Sequence, residues 1–309
     1  MRIFRDIDAI PDDARGSSAA IGNFDGVHLG HQHVLDLARR GGVPLGVVTF
    51  EPHPREVFAP EAPPFRLMNA GARAARLSKL GVDLLFELPF PSVAPLSAEA
   101  FLGDVLATRL GLTHVVVGTD FRFGKGRAGD VALLREGGAR LGFDVTVADL
   151  MGGTAPVSST AIRDALSEGR PADAAEMLGH WHRIEGSVLH GEKRGRTLGY
   201  PTANMALDGL HLPRLGVYAV IVDIYDGPHA GRHHGVASLG IRPMFGENSP
   251  NLETFLFDFD GDLYGTDLSV ALVAFLRPEM TFDGLPDLIA RMDRDSVQAR
   301  AILSETAGA

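Results

Sequence analysis

Cysteine is absent from this sequence of 309 residues, and long hydrophobic runs are absent as well. The lack of cysteine excludes disulfide bonds and zinc sites with cysteine ligands. No segment approaches the roughly 18 uncharged apolar residues that a membrane-spanning helix requires. The beginning of the chain carries acidic residues and no apolar run, so we expect no signal peptide. Together these absences predict a cytoplasmic protein that does not enter a membrane.

Positive charge is also scarce. The chain has 29 Lys and Arg residues against 39 Asp and Glu residues, which gives a formal net charge of −10 with histidine neutral. Neither half of the chain is basic, so we expect no broad surface for nucleic acid. If the ligands are anionic, local devices such as backbone amides, a helix N-terminus or a metal ion must hold them.

The rest of the composition, 45% hydrophobic and 22% charged, is typical of a globular chain, and the length favours two domains. Up to about residue 180, short apolar runs alternate with amphipathic stretches, which predicts a parallel sheet with helical crossovers. The predicted strands are 19–22, 45–50, 84–88, 114–118 and 144–148, and the predicted helices are 29–40, 66–80, 98–110 and 130–141. Ligands of such sheets bind beyond the carboxyl ends of the strands.

The pattern changes in the second part of the chain. Two short helices are predicted at 160–168 and 172–178, and an amphipathic helix is predicted at 285–304. Between them, short strand-like runs separated by turn residues predict an antiparallel barrel. These runs are 188–190, 217–223, 235–239, 253–257 and 268–276. We therefore expect one domain over residues 1–180 and a second over residues 181–309.

A strand-to-helix junction at residues 22–31 carries the first candidate site. It contains the sequence Gly-Asn-Phe-Asp-Gly-Val-His-Leu-Gly-His, which puts His28 and His31 at a helix start, beside backbone amides and the positive end of the helix dipole. This arrangement suits a phosphate, and two imidazoles could stabilise its developing charge. Gly30 would let a nucleotide approach the backbone. A histidine-rich surface turn and a metal site are the alternatives, but motif and context together favour a nucleotide.

A second helix start lies at Ser158-Ser159-Thr160, with Arg163 one turn further on. Its hydroxyls and amides are those of an ordinary helix cap. The same groups could hold the phosphates of a nucleotide. Because residues 22–31 already favour a nucleotide, the phosphate interpretation is the better one.

These two segments, together with residues 49–54 and 118–124, resemble the nucleotidyltransferase signature of the prokaryotic bifunctional riboflavin kinase/FMN adenylyltransferase family, also called FAD synthetase. The resemblance implies an α/β parallel-sheet, Rossmann-like nucleotidyltransferase domain in which His28 and His31 are catalytic. The residues that would bind ATP are Gly22, Asn23, Gly30, Ser159, Thr160 and Arg163. The residues that would contact the flavin are Asp25, His53, Asp120 and Phe121.

The segment 191–204 is the densest motif in the chain. Its three glycines, four residues apart, alternate with three basic residues, which predicts a loop able to wrap a polyphosphate; a solvated basic hairpin is the alternative. Thr202 and Asn204 offer neutral oxygen ligands for Mg²⁺. The sequence Pro-Thr-Ala-Asn resembles the riboflavin kinase signature, whose Thr and Asn bind Mg·ATP. The residues of this motif that would bind ATP are Gly191, Lys193, Arg196, Gly199, Thr202 and Asn204.

Glu253 matches the catalytic glutamate of the same family. A glutamate on a strand more often faces solvent, so its role rests on the resemblance, which implies that it takes the proton from the ribityl 5′-hydroxyl of riboflavin. One segment departs from the family, because Ser238 stands where Asn is usual and Met244 stands where Thr is usual. These two differences put local substrate contacts in doubt.

The resemblance implies a bifunctional enzyme of FAD biosynthesis: an N-terminal FMN adenylyltransferase domain, then a riboflavin kinase β-barrel with a C-terminal helix. Riboflavin and ATP would give FMN and ADP, and FMN and ATP would then give FAD and pyrophosphate. The expected partners are ATP, riboflavin and FMN, with Mg²⁺ accompanying ATP and no prosthetic group. A kinase with a scaffold domain, or a flavin-binding regulatory protein, are the alternatives. The oligomeric state does not follow from the sequence.

Overall fold

The computed structural model describes residues 1–149, 157–190, 200–244 and 247–306. The chain forms two compact units. One contains Met1–Ala62 and Ala70–Ser158, and the other contains Pro63–Asn69 and Ser159–Ala309. We call Pro63–Asn69 the inserted segment, because it lies within the sequence of the first unit and packs with the second. The predicted boundary at residue 180 separates two functional domains. The division into compact units does not test it, so the boundary stays a prediction.

The first unit is built on a six-stranded sheet in which all neighbouring strands are parallel. Its strands, in the spatial order β1-β4-β3-β2-β5-β6, confirm the predicted parallel sheet. The strands are β1 (Arg2–Phe4), β2 (Ser18–Ile21), β3 (Leu45–Glu51), β4 (Leu84–Pro89), β5 (His114–Gly118) and β6 (Asp144–Ala148). The central strands β2 and β5 are buried along almost their whole length because both faces of the sheet are covered.

Helices connect these strands. They are α1 (Leu29–Ala38), α2 (Pro54–Phe58), α3 (Ala70–Lys79), α4 (Phe90–Val93), α5 (Ala98–Ala100), a π-helix (Phe101–Arg109) and α6 (Val131–Leu141). The ends of α6 show how the sequence sets the bounds: the Asp130 side chain accepts a hydrogen bond from the amide of Leu133, and Gly142 ends the helix at a φ of 86°.

Two predictions for the first unit are wrong in detail. The helix predicted at 66–80 begins only at Ala70, because the inserted segment is not helical and its Arg66 forms a bridge with Leu210 in the second unit. The stretch 98–110 is largely a π-helix, in which the Thr108 hydroxyl donates to the carbonyl of Gly103 at 2.7 Å. The edge strand β1 was not predicted, since three residues are too few for a periodic signal.

The second unit contains a six-stranded antiparallel sheet in the order β7-β12-β9-β10-β11-β8. Its strands are β7 (Arg183–Ser187), β8 (Ala203–Ala206), β9 (Gly216–Ile224), β10 (Gly231–Met244), β11 (Glu247–Leu256) and β12 (Asp267–Arg277). Leu189 forms a bridge with Asn204 of β8, which brings the two edges together and nearly closes the predicted barrel. The strand predicted at 188–190 is wrong: β7 ends earlier, at Ser187, and among the described residues Leu189 forms a single bridge.

The described residues of the second unit also form the helices α7 (Ser159–Ser167), α8 (Pro171–Leu178) and α9 (Leu285–Thr306). The barrel interior is filled by buried aliphatic residues such as Met205, Val220 and Leu272. Outside it, Ala299 and Leu303 of α9 pack in a separate apolar cluster with residues of β9 and β12. Within the described part of the chain, no helix is both long and apolar enough to cross a membrane.

Candidate active sites

The turn between β2 and α1 has an unusual backbone. Phe24, Gly26 and Val27 have φ values of 52°, 86° and 45°. A positive φ is uncommon for a residue with a side chain, and for a β-branched residue such as Val27 it is strained. Burial of Phe24 and Val27 holds the turn, and the Gln32 side chain donates a hydrogen bond to the Val27 carbonyl at 2.9 Å. Sequence reasoning missed Gln32, because the strained carbonyl it supports is visible only in three dimensions.

This turn delivers two histidines to the start of α1. His28 caps the helix, since its Nδ1 accepts a hydrogen bond from the amide of His31 at 3.3 Å. The two imidazole rings stack with centroids 3.7 Å apart. Burial lowers the pKa of His31 well below its ordinary value, and the nearby His28 lowers it further. His31 is therefore neutral at pH 7.

Gly30 lies against the first of these rings. A Cβ atom built on Gly30 would be 3.1 Å from the His28 ring and 3.7 Å from the carbonyl oxygen of Val157. The absence of a side chain therefore lets His28 fold back over the helix start. The sequence predicts that a nucleotide approaches the backbone at Gly30, and in the structure the His28 ring lies there.

The ends of β3 and β5 lie at the same edge of the sheet as this turn. Asn23 accepts a hydrogen bond at its carbonyl from the Thr49 hydroxyl, at 3.2 Å. His53 follows β3 and caps α2: its Nδ1 accepts from the amide of Arg55 at 3.0 Å, and its own amide donates to Glu56 at 3.0 Å. The structure therefore gives His53 a capping contact, and its predicted flavin contact stays a prediction.

Aromatic residues line the same edge. Phe58, at the end of α2, is 74% exposed and meets the Phe90 ring edge-on at 5.4 Å. Phe90 in turn meets Phe50 at 5.8 Å. Beyond β5, Asp120 is exposed and Phe121 is half-buried, with its ring stacked on Phe123 at 5.6 Å. An exposed phenylalanine such as Phe58 offers a face on which a flat ring could stack.

The predicted phosphate residues Ser159, Thr160 and Arg163 open α7 in the second compact unit. There the Arg163 Nε donates to the carbonyl of Phe65 at 2.6 Å, and the guanidinium lies over the Phe65 ring at 5.3 Å. The Arg163 carbonyl contacts the His211 Nε2 at 3.1 Å. The inserted segment therefore sets the direction of the Arg163 side chain.

In the second unit, the pairing of β8 with β11 brings three predicted residues together. Glu253 of β11 lies directly opposite Asn204 of β8, and Thr202 lies two residues before Asn204. The Asn204 Nδ2 donates to the carbonyl of Thr202 at 3.3 Å. All three residues are half-buried. Ser238 of β10 lies opposite Glu253 on its other side, so the departure from the family borders the site, whereas Met244 falls outside the described side chains.

One further residue of this group was not predicted. Asn251 is 2% exposed, and its Nδ2 lies 3.0 Å from the Asn204 Oδ1 and 3.4 Å from the Glu253 Oε1. The contact of Asn251 with Asn204 depends on the register of β8 against β11. A single Asn in a strand-like run does not reveal that register in the sequence. The predicted ATP residues Gly191, Lys193, Arg196 and Gly199 lie outside the described residues.

A cavity of about 580 Å³ adjoins Thr202. Its walls include aromatic Phe259 and Tyr264 and the acidic residues Asp260 and Asp262. The Tyr264 ring is stacked with the His190 ring at 4.2 Å. Within the described residues no cluster of three or more His, Asp or Glu side chains could hold a metal ion by itself.

Helix α9 is tied to the strands around this site. The Tyr200 hydroxyl donates a hydrogen bond to Asp293, and the Tyr200 ring packs on Phe255 at 4.7 Å. Burial, with Asp293 as a further cause, raises the pKa of Tyr200 to about 12. Arg277 of β12 donates to Asp295 at 2.8 Å. The chain entering Pro201 and Thr202 is thus anchored to α9.

Comparisons with known proteins agree with both sites. The family model of FAD synthetase matches residues 10–161, and that of riboflavin kinase matches residues 178–303. A bifunctional riboflavin kinase/FMN adenylyltransferase from Pseudomonas fluorescens is 42% identical, with 99% of each chain covered. Its counterpart from Escherichia coli K12 is 39% identical, with 94% of each covered.

A solved structure described as a macrolide-efflux protein from Streptococcus pneumoniae has a similar fold. It has a TM-score of 0.81 and 29% identity, with 95% of this chain and 96% of that chain covered. The identity to the curated relatives extends over almost the whole length of both chains. The chain is therefore a member of the bifunctional riboflavin kinase/FMN adenylyltransferase family.

Proposed function

We propose that the chain catalyses two successive reactions of FAD synthesis. Riboflavin and ATP give FMN and ADP in the C-terminal domain, and FMN and ATP give FAD and pyrophosphate in the N-terminal domain. The observation that carries this proposal is the presence of two separate groups of site residues, which the two matching family models cover except for Arg163, two residues beyond the first match. The domain boundary near residue 180 belongs to this proposal, as does the cytoplasmic location.

In the kinase reaction, the ribityl 5′-oxygen of riboflavin attacks the γ-phosphorus of ATP and ADP leaves. Glu253 accepts the proton of the attacking hydroxyl. The pairing of Glu253 with Asn204 supports this role, because it puts a carboxylate beside the predicted phosphate ligands. The cavity next to Thr202 has the Phe259 and Tyr264 rings in its walls, and these rings give a nucleotide base an apolar surface to pack against.

Magnesium fits the same group of residues. The Thr202 hydroxyl and the Asn204 Oδ1 are neutral oxygens, and Mg²⁺ commonly combines few protein oxygens with substrate phosphates and water. The hydrogen bond from Asn251 identifies the Oδ1 side of the Asn204 amide, so an oxygen faces the Glu253 side. The Thr202 hydroxyl and the Asn204 Oδ1 would hold the ion together with the phosphates of ATP, and the ion would supply neutralisation of the phosphate charge.

In the adenylyl transfer, a phosphate oxygen of FMN attacks the α-phosphorus of ATP and pyrophosphate leaves. His28 and His31 donate hydrogen bonds to the charge that develops at the α-phosphate. His31 is neutral in the free enzyme, and the approach of a triphosphate favours its protonated form, because an opposite charge stabilises the cation. The residues that hold the ATP backbone and the departing pyrophosphate are Gly22, Asn23, Gly30, Ser159, Thr160 and Arg163.

The flavin of FMN binds at the edge where β2, β3 and β5 end. The proposed contacts are Asp25, His53, Asp120 and Phe121. The exposed Phe58 ring adds a stacking surface beside His53. In the kinase domain, the proposed polyphosphate contacts Gly191, Lys193, Arg196 and Gly199 complete the ATP site.

A time course tests the two activities. Purified protein is incubated with riboflavin, ATP and Mg²⁺, and flavins are separated by chromatography. We expect FMN to accumulate and then decline as FAD and pyrophosphate form. FMN as the terminal product would support a kinase with a scaffold domain, and no turnover at all would support a flavin-binding protein.

Single-site variants assign each reaction to its domain. We expect Glu253→Gln to abolish FMN formation and to leave FAD formation from added FMN intact. His31→Gln should have the opposite effect. If Glu253→Gln forms FMN at the original rate, Glu253 is not the base.

A further inference from the structure

In the proposed kinase site, the side-chain amide of Asn251 contacts both Asn204 and Glu253. Asn251 and Glu253 are two residues apart on β11, so both side chains project from the same face of the strand. Asn204 lies opposite Glu253 on β8 and shares that face. Asn251 reaches Asn204 diagonally across the two strands, at 3.0 Å from its Nδ2 to the Asn204 Oδ1.

The hydrogen-bond pattern of Asn251 is one-sided. Its Nδ2 carries two hydrogens, and it has two acceptors, the Asn204 Oδ1 at 3.0 Å and the Glu253 Oε1 at 3.4 Å. Its Oδ1 is buried and, among the described residues, has no hydrogen-bond partner. A buried acceptor without a partner is costly. An apolar side chain at position 251 would avoid the cost of this buried acceptor. The structural use of Asn251 therefore lies in its Nδ2 donor.

Both acceptors are groups whose direction matters to the reaction. The Asn204 amide is held at both ends, since its Nδ2 donates to the Thr202 carbonyl while its Oδ1 accepts from Asn251. A carbonyl oxygen has a second lone pair, so the Asn204 Oδ1 can still bind a metal ion. An ionised carboxylate has about four lone-pair sites, so the bond from Asn251 does not by itself prevent Glu253 from accepting a hydroxyl proton.

We propose that Asn251 is a positioning residue for riboflavin phosphorylation, which orients the magnesium ligand Asn204 and the base Glu253 with the two hydrogens of one amide. This inference rests on the proposed function of the C-terminal domain. Asn251 does not touch substrate. It couples the metal ligand to the base, so that one side chain sets the direction of both.

The test compares Asn251→Leu and Asn251→Asp with the intact enzyme. Leucine and aspartate resemble asparagine in size; leucine donates no hydrogen bond, and aspartate donates at most one, and only when it is protonated. We expect the kcat of riboflavin phosphorylation to fall about 10- to 100-fold in both variants, as is common when the partner of a metal ligand is removed. The Mg²⁺ concentration for half-maximal rate should rise in Asn251→Leu, which adds no charge near Asn204, and the KM for riboflavin should stay within about twofold.

Thr254→Val is the matched control. Thr254 directly follows Glu253 on β11 and is fully buried. Among the described residues its hydroxyl has no hydrogen-bond partner. Its side chain projects from the other face of β11. We expect the kinetic constants of Thr254→Val to match those of the intact enzyme, and riboflavin binding followed by flavin fluorescence to show that the barrel is folded in every variant.

The outcomes separate this inference from the one it rests on. If Asn251→Leu and Asn251→Asp both keep the original kcat and magnesium dependence while Glu253→Gln is inactive, Asn251 is not a positioning residue and the base assignment stands. If the variants lose riboflavin binding together with kcat, the role is structural and the inference fails. If Glu253→Gln is fully active, the proposed role of Glu253 fails first.

Discussion

Strain and close packing at single residues shape the start of α1. Val27 has a φ of 45°, and Gly30 leaves the space that the His28 ring occupies. Sequence reasoning identified the His-x-Gly-His pattern, because its spacing and its place after a strand are both visible in the chain. It assigned Gly30 to the approach of a nucleotide. The structure shows that the His28 ring lies against Gly30, and this contact can be tested by a substitution at Gly30.

Gly30→Ala tests the packing of the His28 ring. The added methyl would lie 3.1 Å from that ring, so we expect the ring to shift by a few tenths of an ångström. Such a displacement of a catalytic group should lower the kcat of FAD formation about 10- to 100-fold. FMN formation from riboflavin, measured in the same preparation, should be unchanged.

The control for Gly30→Ala is Gly103→Ala. Gly103 is also helical, but a Cβ there would have no neighbour within 4 Å outside its own helix. Alanine should leave both activities at their original rates. If Gly30→Ala forms FAD as fast as the intact enzyme, the position of the His28 ring does not limit the reaction.

At the scale of elements, α9 is joined to the sheet by two ion pairs of very different exposure. Asp295 is buried and contacts Arg277 at 2.8 Å and Arg291 at 3.0 Å. Asp258 is exposed and contacts Arg300 at 2.7 Å. Removing one partner of a buried pair leaves an uncompensated charge in a poorly hydrated place, whereas exposed pairs are screened by water.

We therefore expect Asp295→Asn to lower the free energy of unfolding of the second unit by about 3 kcal/mol. Asp258→Asn should change it little. Chemical denaturation followed by the fluorescence of Trp181, the single tryptophan, would measure both. Equal effects of the two variants would show that burial does not set the strength of these pairs.

The elements also show where sequence reasoning stops. Alternating apolar runs were sufficient to predict the parallel sheet and the antiparallel barrel. The bounds at 66–70 were wrong, because the inserted segment pairs with residues far along the chain, such as Leu210. Asn251 was missed for the same reason: its contact with Asn204 depends on the register of β8 against β11, which no local pattern encodes.

For the molecule as a whole, buried histidines determine how stability responds to mild acid. Burial lowers the pKa of His182 to about 3, with smaller contributions from His180 and His211, and burial also lowers the pKa of His114. Such groups stay neutral in the folded chain but bind protons near pH 6.5 when the chain unfolds. Unfolding is therefore favoured as the pH falls below about 6.5, and the loss grows until the pH reaches the folded-state pKa.

His182→Gln tests this dependence. From the two pKa values, His182 should destabilise the folded chain by about 2 kcal/mol at pH 5 relative to pH 8. Carboxylates with lowered pKa values, such as Asp223, lose their stabilising effect only below about pH 4, outside this window. Calorimetry at pH 5 and pH 8 should show a smaller difference for the variant. An unchanged difference would exclude His182 as the source.

The inserted segment has a consequence for the order in which the protein is made. The Phe65 carbonyl bonds with the Arg163 side chain, which follows 98 residues later in the chain. At the usual rate of about 5–20 residues per second, the ribosome needs roughly 5–20 seconds to produce that partner. During this interval the Phe65 carbonyl cannot yet accept the hydrogen bond from Arg163. The second unit therefore includes a segment, Pro63–Asn69, that is synthesised well before the other residues of that unit.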